Sequence, residues 1–277
     1  MNNHLGSWFA HIGRTDGVET LIWIGAGNAK HLPPIDTLGA RRILLVEPNP
    51  IHLPDLERLA AQDPRVSVHS VAIHGEDGRA HLNRFNWPAL ASVSMPEGLE
   101  ARFPGLRKTE TLEIVTVTMK TFLAQEKLDF SSSTVLRLDV PGIEGIVLTS
   151  VFEATPTAAL HILLRCPIMP FHASGQPAAA LRASLERQHF RLHDYDGKDA
   201  DYVDYWFRYE AKLKLMRIER DSAQAEISAL NGQLADAITS CEILKVDLNE
   251  LRERYRKKWR DTLLEADGRV IYYGNEP

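Results

Sequence analysis

Three residues carry the first sign of chemistry in this 277-residue chain. Gly25 and Gly27 sit in Thr20-Leu21-Ile22-Trp23-Ile24-Gly25-Ala26-Gly27-Asn28, and Glu47 closes the run Ile43-Leu44-Leu45-Val46-Glu47. Glycines directly after an apolar run let the backbone turn sharply and approach a ligand with no side chain in the way. A carboxylate about twenty residues later, at the tip of a neighbouring parallel strand, can accept both hydroxyls of a ribose. Such charge-assisted hydrogen bonds are worth about 1.5–3 kcal/mol each. Glycines and acid at this spacing point to a nucleotide-type cofactor, although a glycine pair alone occurs in any tight strand-to-helix turn.

The elements that must hold these residues follow from periodicity. Leu5, Trp8, Phe9 and Ile12 fall at helical spacing and predict a short amphipathic helix ahead of the first strand. Leu21 to Ile24 reads as a strand buried on both faces. The paired prolines Pro33 and Pro34 allow only a short or displaced helix before Gly39. The second strand ends at Glu47-Pro48-Asn49-Pro50, and Leu53, Leu56, Leu59 and Ala60 mark a helix that stops before Asp63-Pro64. Val66 to Val71 alternates as a third strand. From Gly75 to Val117 the pattern becomes that of an inserted antiparallel element, with strands at Ala80 to Phe85 and Leu112 to Val117. The α/β rhythm then resumes: a helix at Phe122-Leu123, a strand at Thr134 to Asp139, a helix at Gly145 to Val151 and a strand at Ala159 to Leu164. A helix with Leu181, Leu185 and Phe190 follows, then a late strand from Arg191. Tyr195, Tyr202, Tyr205, Trp206 and Phe207 are expected at the closing edge of a parallel, doubly wound sheet with its ligand at the carboxyl ends of the strands.

Composition narrows the function classes. A formal net charge of −5 argues against a protein built to bind nucleic acid. Two cysteines far apart, Cys166 and Cys241, argue against a disulfide framework or a cysteine zinc site and fit a reducing compartment. The first residues lack the basic and apolar regions of a signal peptide, and no apolar run is long enough to cross a bilayer, so a cytoplasmic location is expected. Of the histidines only His189 and His193 have i, i+4 spacing, and they span a helix end, so no metal site is expected. Neither a Gly-x-Ser-x-Gly elbow nor a phosphate loop ending in Gly-Lys-Ser/Thr occurs, which leaves hydrolase and triphosphatase readings without support.

Beyond residue 208 the period changes. Tyr209, Leu213, Met216, Arg220, Ala223, Ile227, Leu230, Leu234, Ala237, Cys241, Leu244, Leu248, Leu251 and Tyr255 alternate steps of four and three, a heptad seam. Polar neighbours leave a narrow stripe, which favours a coiled coil between chains, a dimer for preference, over a helix folded back on the domain. Arg252, Arg254, Arg256, Lys257, Lys258 and Arg260 surround Tyr255 and Trp259. This basic aromatic segment could meet an anionic membrane or an acidic protein partner, but a solvated coiled-coil face is the favoured reading. The expected organisation is an α/β domain over 1–207, a coiled-coil helix over 208–264 and a tail over 265–277, in which Gly268 to Gly274 reads as a short strand or a docked segment.

The order of these motifs resembles the FkbM-type branch of class I S-adenosylmethionine-dependent methyltransferases over roughly Gly17 to Phe207. Gly25-Ala26-Gly27-Asn28 resembles that family's first glycine motif, and Glu47-Pro48-Asn49-Pro50 its ribose-binding acid and turn. Val71-Ala72-Ile73 with Gly75 and Gly78 resembles the third motif, and Leu136-Arg137-Leu138-Asp139-Val140-Pro141-Gly142-Ile143-Glu144 with Val147-Leu148 the strand-to-helix segment that follows. The resemblance implies a Rossmann-like sheet, S-adenosylmethionine held by Gly25, Ala26, Gly27, Glu47, Asn49 and Ala72, and O-methylation of a small-molecule or glycan acceptor. It departs from the family at Trp23, where an acid is usual, at Ala29, where a third glycine is usual, and at Arg165, near a usual acid. Methyl transfer to oxygen needs alignment and removal of the hydroxyl proton. Asp139 is the candidate base or acceptor-orienting group, with a helix N-cap as its alternative; Glu144 either shares that role or complements a helix dipole. The second reading of the whole is a methyltransferase-like interaction protein without activity that recruits partners through its coiled coil.

Overall fold

The computed structural model describes residues 4–29, 37–128, 134–154 and 160–265. Helix α1 (His4–Thr15) leads into β1 (Thr20–Ile24), β2 (Arg42–Val46), α2 (Leu53–Gln62), β3 (Val66–His69), β4 (Ala72–Ile73) and β5 (Gly78–Phe85). Then come α3 (Leu99–Arg102), β6 (Lys108–Val117), α4 (Met119–Glu126), β7 (Thr134–Leu138), α5 (Glu144–Ala154) and β8 (Leu160–Pro167). The last elements are α6 (Ala178–Arg187), β9 (Phe190–Asp196), β10 (Tyr202–Tyr209) and α7 (Ala211–Glu265). Seven strands form one sheet in the order β3-β2-β1-β7-β8-β10-β9. The first five are parallel, and β10 runs antiparallel to both β8 and β9. This is the expected doubly wound, Rossmann-like sheet. Because β2 and β7 flank β1, the chain leaves β1 in one direction and returns on its other side. The crevice at the carboxyl ends of these strands is therefore the place where such sheets bind ligands.

The sheet is buried on both faces, which is why its inner strands read as continuous apolar runs. Leu21, Trp23, Ile43, Leu45, Val135, Leu163 and Trp206 face α1, whose Leu5, Trp8, Phe9 and Ile12 are buried against them. Ile22, Ile24, Leu44, Leu136, Leu138, Ile162 and Leu164 share the opposite core with Phe122 of α4, Val147 and Val151 of α5, and Leu181 and Leu185 of α6. Strands β4, β6 and β5 make a second, three-stranded sheet in that order, with β5 and β6 antiparallel as the insertion predicted.

Three boundaries differ from expectation. The third strand ends at His69, and Ala72–Ile73 pairs instead with β6 in the second sheet. Phe190 lies outside α6 because the chain turns at His189, with φ of 66°, before β9 begins. The aromatic-rich β10 is interior, and β9 is the edge. Trp206 and Phe207 of β10 are buried on opposite faces, which an edge position would not require.

Gly25 is a glycine for a different reason from the one its motif suggests. A β-carbon there would stand 1.9 Å from the Asp139 carbonyl oxygen, and its φ is +77°. The turn is thus fixed by the approach of β1 to β7, where the Asp139 amide donates to the Ile24 carbonyl at 2.9 Å. Gly25→Ala is expected to destabilise the fold by about 2–4 kcal/mol through steric overlap and left-handed strain. Denaturant unfolding of the variant would measure it; a loss within 0.5 kcal/mol, about the range of ordinary surface substitutions, would contradict the packing role.

The chain divides into two compact units, residues 1–214 and 215–277. Helix α7 makes up the described part of the second, and its 55 residues span about 83 Å at ~1.5 Å per residue. Among the described residues no helix is long and apolar enough to cross a membrane. The predicted tail strand Gly268 to Gly274 and the prolines Pro33 and Pro34 lie outside the described residues.

Candidate functional site

At the carboxyl ends of β1, β2 and β7 lies a cavity of about 1170 Å³. Gly25, Ala26, Gly27, Glu47, Asn49, Ala72 and Asp139 all line it, so residues far apart in sequence meet around one space. The turn after β1 is folded back on β2: the amides of Gly25 and Ala26 donate to the Val46 carbonyl at 2.9 and 3.2 Å. Gly27 then follows with φ of +56°, and a β-carbon built on it meets no atom within 4 Å. Gly27 therefore leaves open room where Gly25 does not. Ala29, at the third glycine position, takes the left-handed conformation as well, with φ of 54°. That geometry costs an alanine about 1–2 kcal/mol and explains why glycine would be usual there.

Glu47 is more engaged than a carboxylate merely awaiting a ribose. Its Oε2 accepts from the Gly27 amide and its Oε1 from the Asn49 amide, both at 2.8 Å, so it ties the glycine turn to the turn after β2. Burial pushes its pKa up from 4.5 to about 7, against those two hydrogen bonds, with the charge of Asp139 adding to the rise. Each carboxylate oxygen has a second lone pair, so the group retains capacity to accept from a ligand.

Asp139 lies at the end of β7, five residues ahead of the first residue of α5, and so does not cap that helix. Its carboxylate is 3.6 Å from Arg137, and its side chain is 36% exposed toward the cavity it lines. Glu144 is a correction. It begins α5 as expected, but it is buried and does not line the cavity: its Oε1 accepts from the Gly142 amide at 3.2 Å, and its Oε2 has no hydrogen-bond partner among the described residues. The Gly142 turn draws the side chain beneath the loop instead of into the crevice.

Burial raises the Glu144 pKa from 4.5 to about 7 despite hydrogen bonds from the backbone. The folded chain therefore holds this proton more tightly than the unfolded chain does. That contribution to stability is full below about pH 4.5 and is lost as the pH rises through about 7. Glu144→Gln, which mimics the protonated form, should melt above the parent at pH 8 and close to it at pH 5. An equal difference at both values would contradict this assignment.

A charged network extends the site along the carboxyl end of β8 and the start of β10. Arg137 donates to Asp204 at 2.8 Å; Arg165 donates to Asp204 at 2.7 Å and Asp199 at 2.9 Å, and stacks 4.7 Å from the Tyr202 ring centroid. His4 of α1 lies 2.8 Å from Asp196. Burial works to raise the Asp204 carboxyl, but the two guanidinium groups outweigh it and hold the carboxyl below its usual range. Sequence reasoning missed Arg137, Asp204 and His4 as site residues. The available signal was a lone charge, Arg137, within an otherwise apolar strand, and an acid, Asp204, among the aromatic residues of β10. Trp23 is buried beside this network, with the Arg137 guanidinium 6.0 Å from its ring centroid. Among the described residues no group of three or more His, Cys, Asp or Glu is arranged to hold a metal ion.

No family model and no curated protein matches the chain. Among solved structures it is similar to the methyltransferase FkbM from Methylobacillus flagellatus KT, at 15% identity and a TM-score of 0.43 over 74% of this chain and 52% of that one. The chain thus spans about half of that protein. It is also similar to the N-methyltransferase NodS from Bradyrhizobium japonicum WM9, at 8% identity and a TM-score of 0.43 over 75% of this chain and 95% of that one. Aeropyrum pernix fibrillarin in complex with natively bound S-adenosyl-L-methionine is similar at 12% identity and a TM-score of 0.40, over 69% of this chain and 66% of that one.

Proposed function

We propose that residues 1–214 form an S-adenosylmethionine-dependent methyltransferase of the FkbM type, acting on a hydroxyl of a sugar, glycoconjugate or secondary metabolite. The observation that carries the reading is Glu47 at the tip of β2, joined to the Gly27 amide across the crevice beside β1. Acid, open glycine turn and topological switch coincide there, as a ribose-bearing cofactor requires. The residues fit the group: Gly27 leaves space that a side chain would fill, and Glu47 and Asn49 present polar groups to the same cavity. A volume of about 1170 Å³ exceeds the usual 300–1,000 Å³ of a ligand site, which leaves room for an acceptor beside the cofactor.

When bound, S-adenosylmethionine supplies a methyl group on a cationic sulfur. The chain's own residues do the rest. The turn Gly25 to Asn28 and Ala72 hold the nucleoside, and Glu47 accepts from its ribose hydroxyls. Asp139 draws the proton from the acceptor hydroxyl, and its ion pair with Arg137 keeps the carboxylate oriented. The reading without activity is favoured by Trp23 and by the strained Ala29. Incubation with methyl-labelled cofactor and a panel of sugars, glycoconjugates and phenolic metabolites separates the two. Label in a hydroxyl ether supports the enzyme; cofactor binding with no transfer to any class supports the interaction protein.

A further inference from the structure

We infer that α7 pairs with α7 of a second copy of this chain as an antiparallel two-stranded coiled coil centred between Ala235 and Asp236. The seam residues Met216, Ile227, Leu230, Leu234, Leu244, Leu248, Leu251 and Tyr255 are each 50–65% exposed, although they keep strict heptad spacing along an unbroken helix. Ile218, Ile238, Ile243 and Val246 lie off that line, but no other stripe of the helix runs as far. Isolated helices draw little stability from propensity alone and need an apolar partner face. A surface with the repeat of a coiled coil is matched by another copy of itself.

The direction follows from what meets along the seam. A parallel, in-register pair would set Arg220 against Arg220 and leave two thin layers along the seam, Ala223 on Ala223 and Ala237 on Ala237. Antiparallel pairing about the stated centre sets Ala223 opposite Leu248 of the second copy and Ala237 opposite Leu234. Arg220 then meets Leu251, Ile227 meets Leu244, and Met216 meets Tyr255. Each alanine of the seam thus faces a leucine, and no arginine faces another. About that centre residues 215–235 carry three acids and two bases and residues 236–256 carry five acids and four bases, so the two halves have the same net charge of −1. Net charge is therefore alike in either direction, so seam packing decides.

Cysteine crosslinking of the full chain tests both parts. Antiparallel pairing sets Cys241 opposite position 230 of the second copy and keeps the two Cys241 residues about eleven residues, roughly 16 Å, apart along the axis. Under copper–phenanthroline oxidation the unmodified chain should give little covalent dimer, and Leu230→Cys should convert most of it to dimer. Efficient crosslinking of the unmodified chain through Cys241 would mean a parallel pair and would overturn the arrangement. Sedimentation should show a dimer at tens of micromolar, reverting to monomer in Leu234→Asp with the melting of the α/β unit unchanged. A monomeric parent at that concentration would overturn self-association altogether.

Discussion

Gly27→Val and Glu47→Ala are each expected to reduce S-adenosylmethionine affinity by at least ~100-fold while the α/β unit remains folded. A valine at 27 projects into space the structure leaves open, and its branched side chain is strained at a φ of +56°. An alanine at 47 removes the acceptor for the Gly27 and Asn49 amides together with the carboxylate offered to the ribose. The loss of fold stability should be small for Glu47→Ala, because removing a carboxyl whose burial is unfavourable to its charge offsets the lost hydrogen bonds. The same burial gives the site a pH signature. With a pKa near 7, Glu47 becomes protonated as the pH falls through neutrality, so cofactor affinity should decline from pH 8 to pH 6. Glu47→Gln should bind weakly at both values and show little slope. Calorimetric titrations at the two pH values, with thermal melts as the folding control, would measure this. Variants that bind within about threefold of the parent would remove Glu47 and Gly27 from the site.

Asp139→Asn has the opposite profile: turnover should fall about 10²–10⁴-fold while the cofactor still binds. The substitution keeps shape but loses the charge that draws the hydroxyl proton. Arg137 keeps its 2.8 Å partner in Asp204, so the network holds. Since the Asp139 charge contributes to the raised Glu47 pKa, cofactor affinity near pH 7 should hold or rise slightly in the variant. Single-turnover rates with labelled cofactor and binding measured on the same preparation separate the two effects. Equal losses in binding and turnover would make Asp139 a cofactor-binding or structural residue instead of a base.

The sheet was legible because its inner strands are buried on both faces and therefore announce themselves as apolar runs ended by glycine or acid. Strand order was less so. Nothing in the spacing of Tyr202 to Phe207 says that β10 inserts between β8 and β9, since that choice is made by packing of Trp206 and Phe207 on opposite faces. At the site, Gly25, Gly27, Glu47 and Asp139 were found from type and spacing, yet the work of each glycine was not separable until the Asp139 carbonyl was seen 1.9 Å from a β-carbon at 25. Glu144 was placed correctly in the first turn of its helix, but its two readings stayed open because a one-dimensional motif does not tell whether a side chain there turns outward or beneath its own loop. The pairing of Arg137 and Arg165 with Asp204 joins three strands and leaves no local signature beyond lone charges in apolar surroundings.

The central claim is that the crevice between β1, β2 and β7 holds S-adenosylmethionine despite Trp23. Calorimetric titration of S-adenosylmethionine into the unmodified full chain at pH 8 tests it most directly. Saturable binding of one equivalent per chain, abolished in Glu47→Ala, is the predicted result. Absence of binding at about 1 mM cofactor, where even an interaction of ~4 kcal/mol would register, would contradict it. Gly27 and Glu47 would then be remnants of the fold, and the interaction protein carried by α7 would be the reading that stands.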